Sequence, residues 1–316
     1  SLFGIIAPFL ILRRIFPKLS WIHIKVQDFI MGIFMRKCDI CISLTGYVYA
    51  PRIAQKKGAI IIMERGSKHI LEQKKILEKN PHKKNEAIPN RNIKCNLKAY
   101  QFANFISVAS QHVKESFLLH QYPENRIFVN PYGVDLSMFK PLPNIPKKYD
   151  VIMVGGWGYE KGCDLIVEAI RKTNYSFIHV GSIKDVDFPQ EKNFTHIDPV
   201  DQSKLIEYYN QAKVFILPSR QDGFGMVLSQ ALACNLPIIG SNNCGAPDLK
   251  KMVELPEYIT IIKDYTADAI VTAIHTAIKN YEQLGERIYA GNAIENLTWE
   301  AYGKRYANFL HKIIKQ

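Results

Sequence analysis

From about residue 149 onward, short continuously apolar runs alternate with amphipathic stretches, and this alternation limits the chain to few folds. Residues 150–155 (DVIMVG), 176–180, 194–198, 214–218 (VFILP), 237–240 and 259–262 are too short and too apolar for exposed helices and read as buried strands. Between them, 161–172, 202–212, 225–234 and 265–281 repeat apolar residues at helical spacing, and the end of the chain reads as helical. Strand–helix repeats of this kind make a parallel sheet with helices on both faces. Ligands of such sheets sit beyond the carboxyl ends of the strands, so residues just after each strand are the candidates for chemistry.

The first half is less regular. A helix is expected over 22–35, strands over 39–43, 58–63, 105–109 and 127–130, and a helix from Ser110, whose hydroxyl suits an N-cap. Residues 68–87 are highly charged and read as helix and exposed loop. Pro141, Pro143 and Pro146 mark a linker. With 316 residues and 47% hydrophobic content, two domains are the natural division.

Charge divides the same way. Residues 1–148 hold 24 Lys+Arg against 9 Asp+Glu, and the remainder 17 against 20. A basic first half suits anionic partners such as lipid head groups or phosphates, or is simply a solvated basic face. Its basic residues lack interleaved aromatics or a known reading module, so nucleic acid is not expected as a partner. No uninterrupted apolar run reaches the ~18 residues of a membrane span. Residues 1–12 are apolar, but Arg13 and Arg14 follow the run rather than precede it, unlike a signal peptide. Six cysteines in a chain this long read as reduced thiols, and Cys38-x-x-Cys41 lacks a second pair for a metal site.

Three constellations fall at strand ends. Gly155-Gly156-Trp157-Gly158-Tyr159-Glu160-Lys161-Gly162 matches neither the dinucleotide fingerprint nor the P-loop. It still combines small residues at a helix N-terminus with one Lys, an arrangement that favours an anion. In the second, Pro218-Ser219 lead to Asp222-Gly223-Phe224-Gly225, with Gln230 two turns into the next helix. Eight residues of helix span about 12 Å, which suits contacts to two ends of an extended ligand better than an acid/base pair on one bond. The third, Gly245-Ala246-Pro247-Asp248, allows close backbone approach but also makes an ordinary helix start.

Taken in order, these motifs resemble the retaining glycosyltransferases of the GT-B fold (glycosyltransferase family 4, glycosyl transferases group 1). The likeness starts at Asn130-Pro131-Tyr132-Gly133-Val134-Asp135 with Phe139 and Pro141. It runs through Glu160-Lys161-Gly162, Pro218-Ser219, Asp222-Gly223-Phe224-Gly225, Ala231-Leu232-Ala233-Cys234 and Pro237-Ile238-Ile239-Gly240-Ser241. It covers roughly residues 127–316, and the first half only loosely.

The resemblance implies an α/β chain with two Rossmann-like domains facing across a cleft. The acceptor-side domain would span 1–143 and the nucleotide-sugar domain 144–298, with a last helix, 299–316, crossing back. Family members open with a strand and a glycine-rich loop that residues 1–12 do not supply, which leaves an incomplete first domain open. The implied activity is transfer of a hexose from a UDP- or GDP-sugar to a glycan or lipid-linked acceptor in envelope polysaccharide synthesis. The setting would be cytoplasmic, peripheral at the inner face of an anionic membrane. A nucleotide-sugar epimerase and a non-catalytic nucleotide-sugar-binding protein are the competing readings.

Lys161 would hold the donor diphosphate, Asp222 the sugar hydroxyls and Gln230 the ribose, with Gly155, Gly156, Gly158, Gly223, Phe224 and Gly225 lining the donor. The family's usual Glu–Glu pair is Asp222 and Gln230 here, and its usual Arg five residues before the Lys is Gly156. Arg65 is the candidate for supplying that lost charge, with Glu64, Ser67 and His69 as acceptor-side candidates. No metal or other cofactor is expected; the one Asp-x-Asp, Asp185-Val186-Asp187, reads as an exposed loop without strand context.

Overall fold

A computed structural model describes residues 20–82, 88–284 and 292–315. In chain order the elements of the first half are α1 (Ser20–Ile33), β1 (Ile40–Leu44), α2 (Tyr49–Lys56), β2 (Ile60–Arg65), α3 (Ile70–Glu78), α4 (Asn90–Phe102), β3 (Phe105–Val108), α5 (Gln111–Leu118) and β4 (Ile127–Val129). The second half follows with β5 (Tyr149–Val154), α6 (Cys163–Arg171), β6 (Phe177–Val180), β7 (Phe194–Ile197), α7 (Leu205–Asn210), β8 (Ala212–Leu217), α8 (Met226–Ala233), β9 (Ile238–Ser241), α9 (Ala246–Met252), β10 (Ile259–Ile262), α10 (Ala267–Leu284) and α11 (Trp299–Ile314). The α/β class and the strands expected from apolar runs are therefore present, each within about two residues of its expected bounds. Residues 1–19, with Arg13 and Arg14, lie outside the described residues.

The chain parts into two compact units. One contains the described residues up to Arg65 together with Ile88–Ser107 and Tyr122–Phe128, and carries a four-stranded sheet in the order β1-β2-β3-β4. β1 and β2 run parallel, with Ile42 opposite Ile62. β2 is buried on both faces at Ile61, Ile62 and Met63, while the edge strand β1 exposes Ile42 and Leu44. Asp28 on α1 anchors α2, its carboxylate accepting the Val48, Tyr49 and Ala50 amides at 2.8–2.9 Å. These are the N–H groups that a helix start leaves unpaired.

The second unit contains Gly66–Ala87, Val108–Gln121 and everything described from Val129 on. Thus α3 and α5, which precede the proline-rich linker in sequence, pack with the second sheet. That sheet has six strands in the order β10-β9-β8-β5-β6-β7, all parallel. Helical spacing explains its cover. On α10, Ile270, Ala273, Ile274, Ala277 and Ile278 recur every three or four residues and are all buried. α11 starts where Thr298 Oγ1 accepts the Ala301 amide at 3.1 Å.

Strand order fixes where a ligand can go. From β5 the chain winds outward through β6 and β7, then returns to lay β8 on the other side of β5 and winds on through β9 and β10. The winding direction reverses between β5 and β8, and loops leaving such a pair diverge and open a crevice at the carboxyl ends of the strands. The loops leaving β5 and β8 carry Gly155–Lys161 and Ser219–Gly225.

Among the described residues no helix is long and apolar enough to cross a membrane, and no three His, Cys, Asp or Glu side chains converge as a metal site. All six cysteines are free of disulfides.

Candidate active site

β5 ends at Val154, and the next residues turn sharply over the sheet. Gly155 donates to the Val180 carbonyl at 2.9 Å and accepts from His179 Nε2 at 2.8 Å, so the turn is tied to the neighbouring strand β6. Trp157 is fully buried and packs on Phe177, His179 and Phe188. A single short turn, Tyr159–Lys161, then hands the chain to α6 through Gly162, whose φ of +75° is left-handed. A β-carbon there would also meet the Pro218 carbonyl at 2.4 Å, so only glycine fits on both counts.

This geometry aims Lys161 at the loop that leaves β8. Its ammonium lies 2.5 Å from Asp222 Oδ2, both side chains being about four-fifths buried. Burial pulls the Lys161 pKa down, but the Asp222 and Glu160 carboxylates outweigh it and the net shift is upward. The Glu160 pKa also rises: burial raises it, while Lys161 and Lys184 oppose the rise.

The two loops are laced together beyond that pair. Arg220 forms a bidentate pair with Asp164 at 2.6 and 2.7 Å, donates to the Tyr159 carbonyl and lies 3.7 Å over the Tyr159 ring. The Arg220 amide donates to the Glu160 carbonyl at 2.9 Å. Such forked, stacked contacts exploit the planar guanidinium, and Lys could not replace it.

The Asp222–Gly225 loop is packed from its other side. Ser110 Oγ donates to the Gly223 carbonyl at 2.6 Å, so this hydroxyl holds the loop instead of capping α5, as its sequence position had promised. His112 stands 3.4 Å from the same hydroxyl, and its pKa falls to about 3 through burial and then the nearby Lys68 charge. Gly223 presses on the Gly66 carbonyl so closely that a β-carbon would sit 2.0 Å from it. The Phe224 ring is buried edge-on against Tyr132, and its amide faces Asp222 Oδ1 at 3.4 Å. Gly225, left-handed at φ +80°, starts α8.

Gln230 is not a solvent-facing residue of α8. It is 8% exposed, and its Oε1 accepts the buried Tyr209 hydroxyl at 2.9 Å. One acceptor site of its amide is thus occupied internally.

Among the acceptor-side candidates, Ser67 Oγ accepts from Gln221 Nε2, and the adjacent Lys68 donates to Asn243 Oδ1 at 2.6 Å. His69 is buried, stacks on His120 with ring centroids 4.0 Å apart, and caps α3 by accepting the Leu71 amide at 3.4 Å. Glu64 and Arg65 close β2 in the other unit, where Arg65 donates to Asn96 Oδ1 at 3.1 Å and burial lowers its pKa.

A cavity of about 710 Å³ opens beside Lys161. Gly156, Gly158, Glu160, Lys161, Lys184 and Asp185 form its floor, and Leu77, Asn80 and His82 approach from the end of α3. Its size is that of a site for a ligand of nucleotide dimensions. The Asp-x-Asp segment needs correction here. Asp185 is not a free loop residue: its Oδ1 accepts the Tyr159 amide at 2.9 Å, its Oδ2 accepts from Asn80 Nδ2, and a β-carbon at Gly158 would collide with it. Lys184, Asp185 and Asn80 carry no motif spacing. Lys184 and Asp185 reach the cavity because the strand they follow, β6, lies next to β5, and Asn80 reaches it from the end of α3, adjacencies no local pattern announces.

Residues 137–293 match the family model described as glycosyl transferases group 1. The chain belongs to this family. Among curated proteins of the kind, a probable sucrose-phosphate synthase of Thermosipho melanesiensis is 26% identical over 242 residues, which are 68% of this chain and 56% of that protein. A GDP-mannose-dependent phosphatidylinositol monomannoside mannosyltransferase of Mycolicibacterium smegmatis is 23% identical over 242 residues, 66% of this chain and 62% of the relative. The chain thus spans about three-fifths of the length of these two relatives. Of solved structures, Anabaena HepE in complex with UDP and glucose superposes with a TM-score of 0.69 at 14% identity, over 94% of this chain and 83% of that one. That likeness is one of fold, and it bears out the two-sheet GT-B architecture expected from the motifs.

Proposed function

We propose that this family member transfers a hexose from a UDP- or GDP-sugar to a glycan or lipid-linked acceptor, with retention at the anomeric carbon and without a metal ion. The observation that carries the reading is the position of Lys161. It stands at the switch point between β5 and β8, bonded to Asp222 at 2.5 Å, on the wall of a cavity floored by glycine backbone.

In this mechanism the cavity takes the diphosphate. The acceptor oxygen bonds to the anomeric carbon as the bond from that carbon to the diphosphate oxygen breaks. The bonding pair leaves on the diphosphate, which accepts the acceptor's proton on the same face. Stabilising the growing negative charge is the main catalytic task, and fixed cations meet it without reorganisation. Asp222 keeps Lys161 charged and aimed through Oδ2, and offers its other oxygen to the sugar's hydroxyls when the donor arrives. Gln230 offers its remaining donor and acceptor positions to the ribose. Gly223, Phe224 and Gly225 shape the wall beside the sugar, and Glu64, Ser67 and His69 belong to the acceptor side.

Functionally we divide the chain at residues 143 and 298, with 299–316 returning to the acceptor-side part. The basic first half, 24 Lys+Arg against 9 Asp+Glu, suits an anionic inner membrane face and envelope polysaccharide synthesis.

A calorimetric panel of UDP, GDP and ADP tests the nucleotide site: one should bind at micromolar strength, and binding of none sinks the reading. Incubating the matching sugar nucleotide alone separates transferase from epimerase, because a transferase leaves the sugar's stereochemistry unchanged.

A further inference from the structure

Charge balance around Lys161 leaves the diphosphate short of a cation. Lys161 is committed to Asp222 at 2.5 Å, so the pair carries no net charge, and Glu160 lies beside it. A diphosphate entering the cavity would meet a neutral pair and the carboxyl groups of Glu160, Asp185 and Asp187, which line the same cavity. Among the described residues, Lys184 has no carboxylate within the 4.0 Å of an ion pair, and its side chain lines the same cavity.

Lys184 is not a loosely placed surface lysine at its root. Its amide donates to the Trp157 carbonyl at 2.9 Å, and the Trp157 amide donates to the Ser182 carbonyl at 2.8 Å. The next residue, Asp185, accepts the Tyr159 amide at 2.9 Å. Three hydrogen bonds therefore fasten the 182–185 segment along the Gly156–Tyr159 turn, on a fully buried Trp157. The stem of Lys184 then crosses Gly156. A β-carbon at position 156 would lie 2.4 Å from Lys184 Cε and 3.0 Å from Nζ. Position 156 and the Lys184 ammonium thus compete for one volume, and glycine leaves it to the lysine.

We infer that Lys184 is the second diphosphate-binding cation of this site, and that Gly156 is bare in order to admit it. The assignment rests on the proposed donor site. Lys161 supplies one oriented ammonium, and Lys184 supplies a second one to a cavity that otherwise presents carboxyl groups. A charge-assisted contact of this sort is worth roughly a 10- to 100-fold change in affinity. Side chain 156 and side chain 184 should then be exchangeable as the source of that charge.

The test uses the full chain, with UDP, GDP and ADP and the matching monophosphates as probes in calorimetry. Lys184→Met should weaken the bound diphosphate roughly 10- to 100-fold and cut the preference for diphosphate over monophosphate. Lys184→Arg should retain most of the affinity. Gly156→Arg alone should bind worse than the starting protein, because the two long side chains collide. Gly156→Arg combined with Lys184→Ala should recover diphosphate affinity relative to Lys184→Ala. If Lys184→Met binds the diphosphate as the parent does while Lys161→Met loses it, the role of Lys184 is overturned and the donor site stands. If the parent chain binds none of the three diphosphates, the donor site falls and Lys184 with it.

Discussion

The turn after β5 and the loop after β8 both rely on glycine, and they use it for opposite ends. In the β5 turn, bare positions 156 and 158 make room for side chains, the flexible tip of Lys184 and the carboxylate of Asp185. The result is a cavity wall carrying charged side chains. In the β8 loop, position 223 makes room for backbone, the Gly66 carbonyl, and the Ser110 hydroxyl fastens the same residue. On that side backbone meets backbone. Both loops also rest on a buried neutral histidine: His179 donates to Gly155, and His112 stands behind Ser110. Related motifs at adjacent strand ends thus divide into a cavity-facing turn and a clamp.

The largest effect should come from the cavity-facing turn. Lys161→Ala should lower turnover by roughly 10²–10³-fold, the loss typical of one preorganised donor to a developing anion. Cooperative thermal unfolding should persist, and unchanged turnover in a donor-saturated assay would remove Lys161 from the mechanism.

Glycine substitutions sharpen the contrast directly. Gly223→Ala forces a β-carbon against backbone and should cost about 1–3 kcal/mol in urea unfolding. Gly156→Ala meets only the end of a lysine and should stay within about 0.5 kcal/mol of the parent. Equal costs at the two positions would erase the distinction between turn and clamp.

The smallest effect tests what the loops share. Burial, aided by a nearby positive charge, depresses the pKa of His112 to about 3. That of His179 falls to about 4, burial outweighing its bond to Gly155. A depressed histidine contributes stability that is complete above the unfolded value near 6.5 and drains as pH falls toward the folded value. Unfolding free energy should therefore decline below pH 6.5 by up to about 1.4 kcal/mol per pH unit for each histidine. His112→Asn and His179→Asn should each flatten that slope when urea midpoints are followed from pH 7 to pH 5. A slope indifferent to both changes would mean that neither histidine stays neutral in the fold.

Much of the second sheet is legible in sequence because each strand is a short apolar run closed by Gly, Pro or Ser, and buried parallel strands need little else. The strand-end rule then points at Lys161 and Asp222 without any tertiary knowledge. Two helices escape such reading. α2 (YAPRIAQK) buries only Ala50, Pro51 and Ala54, too few for a periodic stripe. α4 begins in Asn and Arg without a capping side chain. Ser110 misleads for a different reason: a serine before a helix has two uses, and the Gly223 carbonyl, 113 residues away, decides between them. Lys184 was invisible because its importance comes from the side chain that residue 156 lacks.

Gly162 deserves a last consequence. Its missing β-carbon lets the β5 turn touch the Pro218 carbonyl, so the spacing between Lys161 and the start of the Asp222 loop is set by main chain alone. Side chains around Asp222 could therefore vary among related chains while the position of Lys161 stays put. On the proposed function, preference for one sugar could drift over such a scaffold without disturbing the hold on the diphosphate.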